Sequence, residues 1–166
     1  SISKELPTLN ILQCTYNSML RHEIREKVQE LEIESLEVHT YHSFSVKYYS
    51  SQAHTDTGIR AFLRSKTPPR TTLNLYDLIV LDECQDMTLL YFEMVATMIR
   101  DMCKTTDHKI QLLILGDYMQ GLYEFKGADI RFLTKASESW EGFSYLKSQD
   151  FVQATLQTSY RITNQM

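Results

Sequence analysis

The sequence predicts an α/β domain, a doubly wound parallel sheet flanked by helices. Three observations carry that expectation. Apolar runs of strand length alternate with helically spaced apolar patterns. The most apolar runs, Leu78–Leu81 and Ile110–Leu115, show no polar alternation, as expected of strands covered on both faces. Polar and acidic residues follow those runs directly, where open parallel sheets place their ligands.

Taken in order, Leu9–Thr15 reads as a strand, followed by Asn17 as a helix N-cap and Leu20, Ile24, Val28 and Leu31 at helical spacing. Leu36, Val38 and Thr40 alternate with polar residues as a second strand, and the aromatic run Tyr41–Tyr49 reads as a short helix. Residues 50–74 are polar, with Gly58 and the pair Pro68 and Pro69, and predict a surface insertion whose helical candidate is Ile59–Arg64. Leu78–Leu81 is a buried strand whose crossover helix runs through Leu89, Phe92, Val95, Ile99 and Met102. Ile110–Leu115 repeats the device, ending at Gly116-Asp117, and Val152–Leu156 is expected to form a further strand.

The chain has 166 residues, 43% hydrophobic and 11% aromatic, enough for one domain with a real core. A net charge of -4 argues against a broad basic face, so any nucleic-acid contact must be local. Three cysteines with no CxxC pair suggest neither a disulfide framework nor a zinc site, and so a reducing compartment. With no signal peptide and no membrane-length apolar run, the expectation is a soluble intracellular protein. A start at Ser1 without Met, close to strand-like sequence, suggests a piece of something larger.

Chemistry is expected at Asp82-Glu83-Cys84-Gln85-Asp86 and at Gly116-Asp117. An apolar strand delivering adjacent carboxylates to its tip is how phosphate-loop ATPases hold magnesium and orient the attacking water. The bland alternative is a pair of acids capping the next helix.

The motifs together resemble superfamily 1 helicases of the UvrD/Rep/PcrA type. Asp82–Asp86 (DECQD) is similar to the DExQD form of motif II. Cys14-Thr15-Tyr16-Asn17, running into Glu23-Ile24, looks like motif Ia, and Thr40–Phe44 (TYHSF) like motif Ib. Leu115–Asp129 (LGDYMQGLYEFKGAD) resembles motif III, and Leu156–Ile162 (LQTSYRI) motif IV. The resemblance runs from about residue 9 to 162 and implies a RecA-like fold: residues 1–166 as a partial first RecA-like domain, with the insertion between motifs Ib and II reduced to residues 45–75.

The resemblance also implies ATP and Mg2+ as cofactors and single-stranded DNA as partner, with RNA an open alternative. Asp82 would hold the metal and Glu83 would polarise the attacking water. Gln120 would contact the γ-phosphate and link nucleotide state to the DNA-facing loop; its alternative is a solvated loop residue. Arg161 would neutralise γ-phosphate charge and Tyr160 would stack on adenine. Tyr16 and Phe125 would stack on bases, although Tyr16 could equally lie buried behind its strand. His42 and Ser43 would bind the backbone, and Lys126 would add charge without arginine's planar fork. Asp117 reads as support for the turn that aims Gln120. His39 and His42 lack a third ligand for a metal.

Nothing in the chain resembles GxxxxGK[ST]. That loop is expected just upstream of Ser1, and a second RecA-like domain elsewhere in a longer protein, the chain alone being inactive. The expected function is therefore ATP-dependent helicase or translocase activity in the full-length protein, nuclear in a eukaryote and cytoplasmic in a bacterium, serving repair, recombination or replication. The alternative is a non-catalytic module binding single strands or a protein.

Overall fold

Short apolar runs with polar ends can satisfy their backbone only by pairing, and here they pair in parallel. The computed structural model describes residues 9–120, 127–148 and 150–156. Strands β1 (Ile11–Thr15), β2 (Leu36–Thr40), β3 (Leu78–Leu81) and β4 (Gln111–Ile114) form one sheet in the order β2-β1-β3-β4. Ile11 stands beside both Leu36 and Leu78, and Leu78 beside Gln111, so the strands begin in one row. All pairings being parallel, every strand ends on the same edge.

Helix α1 (Ser18–Glu30) starts where Asn17 accepts a hydrogen bond from the Met19 amide at 2.8 Å. Its apolar face is only partly covered, and Arg25 fastens it by donating two bonds to the Val38 carbonyl, at 2.9 and 2.6 Å, on the sheet's outer strand. Helix α2 (Tyr41–Tyr48) opens with a reciprocal capping box between Thr40 and Ser43.

The insertion contributes helix α3 (Asp56–Arg64), capped by Thr55. It lies against the core, burying Ile59 and Phe62, the latter stacked on Tyr49 at 4.7 Å. Gly58 permits this approach, since a Cβ there would lie 1.8 Å from the Gln52 carbonyl oxygen. Helix α4 (Leu89–Cys103) buries Leu90, Tyr91, Met94, Val95, Met98, Ile99 and Met102 at helical spacing. Leu89, the first residue of the expected apolar pattern, is 60% exposed, so the buried stripe begins one position later. Two short helices, α5 (Arg131–Thr134) and α6 (Ala136–Ser139), bring Phe132 and Trp140 to within 4.7 Å of Phe92.

The expected strand at Val152–Leu156 does not form. Residues 151–156 carry no strand pairing, and Val152 and Leu156 are almost fully exposed. Next to β4 it is Leu146 that bridges, at Ile110, where it is buried; Phe151 still packs on the core, but Val152 and Leu156 find no edge or core to cover them.

Glu37 on β2 gathers the start of the sheet. It accepts from His39 Nε2 at 3.0 Å and from Asn74 Nδ2 at 3.3 Å, and also from Lys47 and Tyr76. The His39 bond, with those of Lys47 and Tyr76, outweighs partial burial and holds its carboxyl well below the usual range. A depressed folded-state value means that this stabilisation is complete above the ordinary 4.5 and is lost as the pH falls toward the folded value. Glu37→Gln should therefore cost about 1–3 kcal/mol at neutral pH. It should also flatten the acid limb of stability below that pH. Urea titrations across the acid range check both effects, and equal acid limbs in the two proteins would remove Glu37 from this role.

Candidate active site

The strand order reverses between β1 and β3, because the chain passes from β1 to β2 on one side and returns to β3 on the other. Side chains following those two strands therefore border the sheet's crevice. Tyr16 and Asn17 follow β1, Asp82 and Glu83 follow β3, and Gly116 to Gln120 come after β4. Backbone bonds extend the ladder past the strand ends: Asp82 N donates to Cys14 O at 2.9 Å, Leu115 N to Leu81 O at 2.8 Å and Cys84 N to Leu115 O at 2.9 Å.

Each carboxylate of the pair has a separate holder. Gln13 Nε2 donates to Asp82 Oδ2 at 2.9 Å, and the Glu83 amide donates to Asp82 Oδ1 at 3.0 Å. Glu83 has φ 54° and ψ 44°, a left-handed conformation that costs a non-glycine residue roughly 1–2 kcal/mol. The other non-glycine residues with positive φ among those described, Glu32 and Lys66, end helices, where that conformation is ordinary. At Glu83 it turns the chain sharply from the strand into a 3-10 turn, Cys84–Asp86, so that neighbouring acids point to different places.

From Glu83 a chain of hydrogen bonds runs to Gln120. Gln85 Nε2 donates to Glu83 Oε2, the Asp117 amide donates to Gln85 Oε1 at 3.1 Å, and Gln120 Nε2 donates to Asp117 Oδ2 at 2.8 Å. Asp117 also receives the Met119 amide at 2.9 Å, which makes it the support that aims Gln120. Gly116 is needed for closeness, since a Cβ would stand 2.7 Å from Gln85 Oε1 and 3.2 Å from the Cys84 amide nitrogen. Cys84 beside the pair is inert: burial pushes its thiol up to about 12. All three cysteines are buried and free.

A second group surrounds Tyr91 of α4. Its ring stacks on Tyr41 at 4.8 Å and meets the edges of Tyr16 at 5.8 Å and His42 at 5.7 Å. Tyr16 is 45% exposed rather than buried behind its strand. His42 Nε2 lies 2.9 Å from Asp56 Oδ1. The Ser43 hydroxyl is engaged by the Thr40 amide at 2.9 Å and by the Thr40 carbonyl oxygen at 3.1 Å, within the capping box. His39 is turned to Glu37 and Ser43, away from His42's partner. Phe125, Lys126, Tyr160 and Arg161 lie outside the described residues. Within the motif III stretch, Gln120 N is held by Asp117 O at 3.0 Å and Asp129 N by Met87 O at 2.8 Å.

A family model, the UvrD/REP helicase N-terminal domain, matches residues 59–141. The chain belongs to the UvrD/REP helicase family. Neither the curated proteins nor the solved structures contain a match. The matched segment of this UvrD/REP domain carries β3, the acid pair, β4 and Gln120, whereas Tyr16, His42 and Ser43 precede it. Among the described residues no helix is long and apolar enough to cross a membrane.

Sequence reasoning quoted Gln85 within its motif without giving it work, and it overlooked Gln13, Asp56 and Tyr91. Gln13 had one signal, a polar residue within an otherwise apolar strand. Gln85 is 4% exposed and serves two partners. Gln85→Ala should cost about 1–3 kcal/mol in chemical denaturation, since it strands the Asp117 amide. A loss under about 0.5 kcal/mol, the range of an ordinary surface change, would show that the chain through Gln85 is not what holds this edge.

Proposed function

We propose that this domain is part of an ATP-dependent motor that moves on single-stranded DNA, acting within a longer protein. The observation that carries the reading is the acid pair beside the sheet's crevice, with Glu83 joined by hydrogen bonds through Gln85 and Asp117 to Gln120.

The carboxylates suit a hard divalent cation, and no group of three His, Cys, Asp or Glu among the described residues would hold a metal alone. That donor set fits Mg2+ shared with nucleotide phosphates, the usual arrangement for this ion. Asp82, oriented by Gln13, would take the metal side, where the ion would supply charge neutralisation at the phosphates. Glu83 accepts the proton of the attacking water. Gln120 senses the γ-phosphate side and carries its state toward motif III. Arg161 and Tyr160 serve the γ-phosphate and the adenine.

The β- and γ-phosphate cradle is not assigned to residues of this chain, which carries no GxxxxGK[ST] pattern. Leu113 of β4 and Leu115, which follows it, are 36% and 37% exposed. Tyr16 and Phe125 stack on bases, and His42 and Lys126 meet the backbone, a local contact suited to a chain of net charge -4; Ser43, whose hydroxyl and amide donate to Thr40, acts by starting the helix that carries His42.

In the full-length protein, Glu83→Gln keeps the bond from Gln85, because the amide oxygen still accepts, but it removes the base. ATP turnover should fall on the order of 100-fold or more while nucleotide binding persists. Steady-state hydrolysis with a nucleotide-binding assay checks this, and unchanged turnover would withdraw the role from Glu83. No turnover in the unsubstituted protein would favour the non-catalytic module.

A further inference from the structure

Asp56 lies in the polar insertion, at the first helical position of α3, where an acid is ordinary because it complements the helix dipole. Its contacts are not ordinary. Thr55 already caps the helix, and Asp56 Oδ1 is shared by donors from two other elements: Tyr91 Oη of α4 at 2.7 Å and His42 Nε2 of α2 at 2.9 Å.

A carboxylate only accepts, so both partners must donate. Tyr91 gives its phenolic proton, which it keeps because burial, and then the bond to Asp56, push its ionisation well up. His42 therefore carries a proton on Nε2. That leaves Nδ1 as the ring nitrogen not bonded to Asp56, in a side chain that is 30% exposed. The same oxygen pins the Tyr91 ring, on whose surroundings both Tyr16 and His42 pack. The insertion thus reaches across to the residues assigned to the nucleic acid.

We propose that Asp56 is a positioning residue for nucleic-acid binding: by holding Nε2–H it fixes the ring orientation of His42, so that a proton carried on Nδ1 is directed to a phosphate oxygen of the strand. The proposal rests on the nucleic-acid reading of His42 given above.

The test uses the full-length protein, labelled with 15N-histidine for imidazole spectra and titrated with fluorescein-labelled oligothymidine. In the unsubstituted protein, the His42 resonances should report a protonated Nε2; a protonated Nδ1 with bare Nε2 would overturn the proposal. Asp56→Ala should mix the two forms and weaken binding on the order of tenfold, the loss expected for one oriented hydrogen bond to a charged group. Asp56→Asn retains an oxygen for both donors but loses the charge, and should bind within about twofold of the unsubstituted protein. If Asp56→Asn is as weak as Asp56→Ala, the residue acts by charge at the helix start and the proposal fails.

The double variant His42→Ala/Asp56→Ala should bind no more weakly than His42→Ala, and additive losses would contradict action through His42. If His42→Ala weakens binding but Asp56→Ala does not, only the positioning role falls. If His42→Ala itself changes nothing, the nucleic-acid reading of His42 falls first and the proposal with it. Should Asp56→Ala fail to fold, the imidazole spectrum and Asp56→Asn still decide.

Discussion

Parallel pairing is the constraint on which the candidate site depends. Four short strands that begin in register must also end together, and whatever follows them is delivered to one edge without further instruction. The reversal of strand order at β1 and β3 then separates the outgoing connections and opens the crevice between Tyr16 and the acid pair. The sheet needs apolar strands for burial and a crossover helix for each return, which leaves the ends of the strands as the places where polar candidate residues such as Tyr16, Asp82, Glu83 and Gln120 can stand.

Edge delivery alone places side chains only roughly. Precision comes from hydrogen bonds made by residues with no chemistry of their own. Gln13 reaches from β1 to Asp82, Gln85 ties Glu83 to the backbone after β4, and Asp117 turns Gln120. Glu83 occupies a costly backbone conformation inside this frame, and the frame is tight enough that Gly116 admits no methyl group. Such a network links the two strand ends, joining Glu83 to the Asp117 amide through a single buried side chain, Gln85. Around Tyr91 the same logic recurs with aromatic rings, and Asp56 is the polar anchor.

Legibility in the sequence followed the range of the forces involved. β3 was readable because an uninterrupted apolar run has few other solutions, and α1 because Asn17 and the helical spacing agree; β4 stands where its run placed it, but the expected burial on both faces fails, since Gln111 and Leu113 are exposed. The acid pair was readable because it adjoins such a run. Gln85 was not, since its partner amide lies 32 residues away. Asp56 was hidden by the polarity of its surroundings, which suggested a solvated insertion, although Ile59 and Phe62 three and six residues on are buried. Val152–Leu156 misled for the opposite reason: its composition suits a strand, but a strand exists only where an edge receives it.

We propose that this edge couples nucleotide hydrolysis to single-stranded DNA. The most direct measurement is the steady-state ATP hydrolysis rate of the full-length protein with Mg2+, with and without saturating oligothymidine. Coupling predicts hydrolysis that rises several-fold on adding the oligonucleotide. Hydrolysis at one rate in both conditions, or none in either, would contradict it.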